Sequence, residues 1–281
     1  MRILITNDDS YTAQGISELV EIMRPYGELT VIAPKYHQSG TSMAVDLGYK
    51  PIAVKKIREN SGERWWYVDS TPSACVKYGI DNIFLDSKPD VVISGINHGS
   101  NAASAMLYSA TIGGAQEGAL AGIPSFALSL DDFRRKADFS VVRKYFPAIF
   151  EKIMSSPSKS FGVFYNINFP AIKVEDVKGV KLCHQGTVHW EDEYEPYDYD
   201  IFNKIGLQPI DNGIRFIPEI EEGESIYMMT GHVVENANNT EKSDHRNLAN
   251  GWITIVPHNI NMTDMREYKR LESLEINKNF K

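Results

Sequence analysis

The first apolar run of the chain, Arg2–Thr6, does not alternate: Ile3, Leu4 and Ile5 are consecutive, as in a parallel strand buried on both faces. The period then changes. Ile16, Leu19, Val20 and Met23 recur at i, i+3, i+4 and i+7, one face of an amphipathic helix that Pro25 and Gly27 end. "LTVIAP" (Leu29–Pro34) is a second strand, so the chain opens as a β-α-β unit whose connection is right-handed. A polar loop, "KYHQSGTSMA", follows, and then two strands, "PIAVKKI" and "WWYVDS", around the turn "ENSGE". Thr71–Ile83 predicts a helix with Thr71 as N-cap and Pro72 at its first position.

"PDVVISGIN" is a third core strand running into a loop. Ser109–Gly122, rich in Gly and Ala, predicts a helix lying very close to a sheet. "IPSFALSL", helical Val141–Met154 and "GVFYNINFP" complete an alternation that ends at Pro170 and predicts an α/β fold with a Rossmann-like, doubly wound, mostly parallel sheet. The rest differs in character: acidic, aromatic "HWEDEYEPYDYDIF", a long polar connection from Gly231 to Gly251, a late strand "WITIVPH", and a terminal helix over Met262–Ile276. These patterns predict a Rossmann-like core over 1–183 and a β-rich extension with a terminal helix over 184–281. No internal repeat is visible.

The sheet makes one dipeptide chemically interesting. In open α/β sheets ligands bind outside the carboxyl ends of the strands. Asp8 and Asp9 stand at such an end, as do His37–Ser42 after the second strand and Asn97–Ser100 after "VVISGI". Two carboxylates with neutral oxygens from Ser and Asn make a hard-oxygen site suited to Mg²⁺ or Mn²⁺, and a cation there would offset the repulsion of adjacent acids. By itself Asn-Asp-Asp-Ser is also good turn chemistry; its position at the end of the first strand is what points to function. Ser109 and Thr111 open the Ala/Gly-rich helix, whose unpaired N–H groups suit a phosphate, although Ser109 is equally a plain N-cap. For Gly113, Gly114, Gly118 and Gly122 close packing is the preferred explanation. No dinucleotide fingerprint or Walker A sequence occurs.

Composition narrows the field. The chain has 281 residues, 42% hydrophobic and 23% charged, with a formal net charge of −8. That charge argues against a partner as polyanionic as nucleic acid, without excluding a small anion held through a metal. No stretch has the length of a membrane span, and the opening apolar run is too short for a secretory signal. Cys75 and Cys183 fit no zinc spacing and read as buried thiols of a reducing cytoplasm.

Seven stretches in order, "RILITNDD", "APKYHQSG", "DSTPSACV", "PDVVISGIN", "YSATIGGAQEGALAGIPSFALSL", "NINFP" and "SDHRNLANGWITIVP", resemble the SurE family of survival proteins, metal-dependent nucleotidases. The resemblance implies hydrolysis of nucleoside 5′- and 3′-monophosphates and one divalent cation per subunit, Mg²⁺ or Mn²⁺, held by Asp8, Asp9, Ser39 and Asn97. Asp8, Asp9 and Asn97 are then the catalytic candidates, and Asn97, Ser109, Thr111, Gly40 and Ser42 the phosphate-binding ones. The attacker is either a water or a carboxylate, Asp8 foremost. Relatives extend a hairpin and exchange a C-terminal segment, which implies a homodimer or homotetramer here, with residues after about 184 crossing to a neighbour. The chain departs from the family's pattern at Ser10 (usually Gly), His37 and Met43 (usually Asn), Ala74 and Ala110.

Those departures keep open a non-catalytic nucleotide-binding or scaffold protein that retained the fold. A haloacid dehalogenase-type phosphatase is disfavoured, because it needs Asp-x-Asp and these acids are adjacent. His37 and His98 read as loop residues before proton donors; His184, His189, His232, His245 and His258 read as structural or surface. Asp244 is expected to serve subunit exchange rather than catalysis.

Overall fold

The structure is a computed structural model, and it describes every residue except Tyr49, Arg135, Tyr199, 201–219 and 276–281. A nine-stranded sheet forms its centre. In chain order its strands are β1 (Arg2–Thr6), β2 (Glu28–Pro34), β3 (Val54–Asn60), β4 (Glu63–Val68), β5 (Val91–His98), β6 (Ser125–Leu130), β7 (Val163–Phe169), β8 (Val180–Leu182) and β13 (Ile253–Asn259). Across the sheet the order is β3-β4-β2-β1-β5-β6-β7-β13-β8. The six strands from β4 to β7 run parallel, with β3 and β13 antiparallel to their inner neighbours. Counted along the chain, those six parallel strands have the order 3-2-1-4-5-6, a doubly wound sheet with its reversal between β1 and β5.

Alternate residues of β1 explain the layers. Ile3 and Ile5 join the core under α1 (Gln14–Met23) and α4 (Ser140–Met154), with Phe126, Phe146 and Phe150. Leu4, between them, points to the opposite face and packs with Val68, Cys75, Val76 and Val92 beneath α2 (Pro72–Tyr78). Thr71 caps α2, accepting from the Ala74 N–H at 3.3 Å. The predicted helix to Ile83 continues past Tyr78 as a single wider turn over Gly79–Ile83.

On the same face lies α3 (Ala110–Leu120), almost wholly buried. Its glycines are spacers: a Cβ at Gly113 would meet the Ser42 carbonyl oxygen at 2.3 Å, and one at Gly118 would meet Val92 Cβ at 2.8 Å. Gly122 differs from the expected close packing. It ends the helix at φ +77°, and no atom lies within 3.5 Å of its virtual Cβ, so backbone conformation selects it.

Beyond β8 the chain forms an arm. β9 (Val188–Glu191) pairs antiparallel with β12 (His232–Glu235), and β10 (Tyr194–Pro196) with β11 (Tyr227–Met229). Parts of the aromatic stretch Trp190–Phe202, and Ile276 at the end of the expected terminal helix, lie outside the described residues. A short α5 (Asp244–Ala249) precedes β13, and α6 (Met265–Ser273) closes the description. No helix among the described residues is long and apolar enough to cross a membrane.

Candidate active site

Because β1 and β5 are neighbours, with Thr6 opposite Ser94, the loops that leave their carboxyl ends meet at the sheet's reversal point. Asn7, buried, donates from Nδ2 to the Ser10 carbonyl at 2.9 Å and folds the acid pair into a tight turn. Ser10 takes φ +88°, a left-handed conformation that glycine adopts without penalty, and its Oγ lies 3.0 Å from Thr12 Oγ1. Here the departure from glycine keeps glycine's backbone.

Asp8 and Asp9 face different partners. Asp8 is 2% exposed, and Thr111 Oγ1 donates to its Oδ1 at 2.5 Å. Asp9 accepts from the His98 N–H at 3.3 Å, and its Oδ1 lies 3.3 Å from His37 Nδ1. Burial first, then the charge of Asp9, pushes the Asp8 carboxyl up to about 7, against the opposing pull of the Thr111 hydrogen bond. Burial works against a charged His37 ring, but the Asp9 contact and the charges of both acids outweigh it and hold the imidazole above its ordinary range. His37 is thus an acid-facing residue, not the solvated loop residue expected from sequence. His98 fits the structural reading: its ring Nδ1 lies 2.9 Å from the Arg134 carbonyl and the ring packs edge-on to Phe139.

The loop after β2 is held against the acids. The Gln38 N–H donates to the Asp8 carbonyl at 2.8 Å, which brings Ser39, the next residue, beside the pair; Ser39 and Gly40 are exposed. Ser42 anchors the loop's far end: its N–H donates to the Tyr108 carbonyl and its hydroxyl to the Leu107 carbonyl, each at 2.9 Å. That bond occupies the hydroxyl proton of Ser42. Ser109 caps α3 by accepting from the Ile112 N–H at 3.2 Å, and its own proton is uncommitted. Asn97, buried at the end of β5, donates from Nδ2 to the Gly99 carbonyl at 2.8 Å, which leaves Oδ1 as its free end. Direct contacts therefore join Asp8 to Thr111 and Asp9 to His98, with Asn97 next to His98 in the chain, Ser109 two residues before Thr111, and Ser39, Gly40 and Ser42 on the adjoining loop.

A hydrogen-bonded layer beneath the site has no counterpart in the sequence reading. Asn168 Oδ1 accepts from the Asn101 N–H, Asn101 Nδ2 donates to Ser129 Oγ, and Asn166 Nδ2 donates to the Asn101 carbonyl, all within 2.9 Å. It fixes the loop that follows Asn97. Its signal in the sequence is asparagine at Asn166 and Asn168, alternate positions of an otherwise apolar buried strand.

The donor atoms at this edge decide which cation they could hold. No group of three or more His, Cys, Asp or Glu side chains among the described residues could hold a metal by itself. The available atoms are instead two carboxylates, one carboxyl pushed up by burial and then by its neighbour's charge, with an amide oxygen and a hydroxyl on adjoining segments. Hard oxygens with few charged ligands, and no thiolate or imidazole set, fit Mg²⁺ or Mn²⁺ and do not fit zinc.

The chain is similar to known proteins over nearly its whole length. A family model described as Survival protein SurE matches residues 3–192. The 5′-nucleotidase SurE of Christiangramia forsetii is 33% identical over 276 residues, covering 98% of this chain and 97% of that protein. That of Bacteroides fragilis is 33% identical over 274 residues, covering 98% and 97%. The crystal structure of the SurE protein from Aquifex aeolicus superimposes with a TM-score of 0.75 at 27% identity, covering 98% of this chain and all of that one.

Proposed function

The chain belongs to the SurE family, and from that premise we propose that it is a metal-dependent 5′-nucleotidase that also accepts 3′-monophosphates, releasing nucleoside and phosphate. The observation that carries this is the Asp8–Asp9 pair at the sheet's reversal point, with Asp8 buried and bound by Thr111 at the start of α3. Relatives named as nucleotidases span nearly the whole chain and give no support to a non-catalytic scaffold.

In this proposal Asp8, Asp9, Asn97 Oδ1 and Ser39 Oγ hold one cation, Mg²⁺ or Mn²⁺. When bound, such a cation neutralises charge on the phosphoryl oxygens and acidifies a water. The chain's own groups do the positioning. Thr111 fixes the orientation of Asp8, while the Ser109 hydroxyl, Gly40 and the backbone around Ser42 face the phosphate. His37, beside Asp9, holds a proton next to the reacting centre. Water is the attacker: Asp8 already shares one oxygen with Thr111 and lies too deep to approach phosphorus freely. Phosphorylated Asp8 trapped and seen by mass spectrometry would overturn that assignment.

The test is release of inorganic phosphate from AMP or GMP with millimolar Mn²⁺. Activity should vanish on EDTA treatment and return with Mn²⁺ or Mg²⁺; a metal-independent rate would sink the proposal.

The division at residue 183 and the oligomeric state belong to the same proposal. Tyr194, Tyr227, Met229 and Val233 are exposed on the arm, and α6 buries none of its residues. Apolar side chains left open on projecting elements support a homodimer or homotetramer in which the arm reaches a second copy. Light scattering should return at least twice the chain mass of 31.7 kDa at micromolar concentration, and a monomer would refute it. Two free, buried cysteines support a cytoplasmic location.

A further inference from the structure

Tyr108 immediately precedes Ser109, yet its side chain is 59% exposed. Its ring meets Trp190 of the arm edge-on, with centroids 5.9 Å apart and planes at 77°. An edge-to-face pair satisfies the edge of one ring and leaves other π-faces open. Both rings sit on fixed backbone. The Tyr108 carbonyl accepts from the Ser42 N–H at 2.9 Å, and the Tyr108 N–H donates to the Ala105 carbonyl at 3.1 Å. The strand bearing Trp190 is tied to the same turn, since the Val188 N–H donates to Ser104 Oγ at 3.0 Å. Tyr108 is therefore bracketed by Ser42 and Ser109, two of the phosphate-facing positions, and braced from the arm.

We propose that Tyr108 and Trp190 form a stacking platform for the nucleobase, which makes the arm part of the substrate site; this rests on the nucleotidase reading above. A phosphate beside Asp8 and the start of α3 leaves the nucleoside to extend outward, and the exposed Tyr108 ring, with half-buried Trp190 against it, is the aromatic surface next to Ser109. The platform is uncharged and offers π-faces in place of a set of hydrogen-bonding groups, so it suits any base and favours the larger purines. Because its backbone is already fixed, binding sacrifices little further ordering.

Two measurements test the platform. The first is the ratio of KM for AMP to KM for ribose 5-phosphate, which carries the same phosphate without a base. The second is adenosine binding by calorimetry, which needs no turnover. Tyr108→Ala and Trp190→Ala should each raise the KM ratio and weaken adenosine binding by roughly tenfold, the size of one lost stacking contact. Trp190→Phe, which keeps a ring, should stay within about twofold of wild type. An unchanged ratio overturns the proposal. So does an equal loss for AMP and ribose 5-phosphate, with or without a smaller species in light scattering, because the arm would then support the fold or the assembly and not the base. If the wild type hydrolyses no phosphate ester, the nucleotidase reading fails separately and adenosine binding alone decides: affinity lost in both alanine variants upholds the platform, whereas unchanged or absent wild-type binding overturns it.

Discussion

Asp8→Asn should cost at least about a hundredfold in phosphate release, since even residues that only orient a metal's ligands cost ten- to a hundredfold. It should also leave the fold intact and, without metal at neutral pH, make it more stable. The two effects have one cause. A buried carboxylate beside Asp9 is unfavourable until a cation arrives, and this is why the Asp8 carboxyl is pushed up to about 7 from 3.8. The folded state then binds the Asp8 proton more tightly than the unfolded state does. Its stabilising contribution is complete below about pH 4 and drains away as pH rises toward 7. Three units at 1.36 kcal/mol each set a ceiling of about 4 kcal/mol on that loss. Asparagine keeps the shape, can still accept from Thr111, and does not titrate. Melting curves in EDTA should show wild type falling relative to the variant between pH 4 and 7, and the gap should close when Mn²⁺ is added to wild type. Parallel pH profiles for the two proteins, or a variant retaining near-full rate at saturating Mn²⁺, would remove Asp8 from the site. Protons and metal compete for the same carboxylates, so metal affinity should also fall as pH drops below 7.

Much of this sheet edge is legible in the sequence, and the reason is geometric. Parallel strands buried on both faces announce themselves as unbroken apolar runs, and a right-handed β-α-β crossover leaves few arrangements. Once β1 and β5 are neighbours, Asp8, Asp9 and Asn97 must share an edge. Turn and cap chemistry was equally legible: Thr71 and Ser109 both cap their helices. What stayed hidden depends on contacts between distant segments. His37 is an isolated loop histidine in sequence and an acid's neighbour in space. Asn101, Ser129 and the pair Asn166 and Asn168 form one layer across three segments, which no local period reveals. The positive φ of Ser10 was obscured because the residue is not the glycine that the conformation favours. The arm was the least legible part: its strands are only three or four residues long, and of the four only β9, with Val188 buried and Trp190 half-buried, has one clearly covered face.

Asp244 shows how far a contact set can move an expectation, and replacing it should produce the largest loss of stability of any single change considered. Sequence suggested a role in subunit exchange. Within this one chain the carboxylate is fully buried and binds three backbone N–H groups. Ala103 donates at 3.0 Å, Gly186 at 2.9 Å and His245 at 2.8 Å. Those groups belong to the turn that leads to Tyr108 and Ser109, to the segment entering the arm, and to the first turn of α5. A carboxylate there also meets the favourable end of the helix dipole. Asp244→Ala would strand the Ala103 and Gly186 donors in the interior, and each buried unsatisfied group costs about 1–3 kcal/mol. The total should be roughly 3–5 kcal/mol, a fall in melting temperature on the order of 10 °C for a chain of this size. Activity should fall with it, because the turn at Ala103 positions Ser109 and Thr111, and added Mn²⁺ should not restore it. Asp244→Asn, which keeps one acceptor oxygen, should lie between wild type and alanine in both measurements. Thermal denaturation of the three proteins settles the matter: an alanine variant melting within about 2 °C of wild type, under 1 kcal/mol by the same scale, would mean that Asp244 does not tie these segments together.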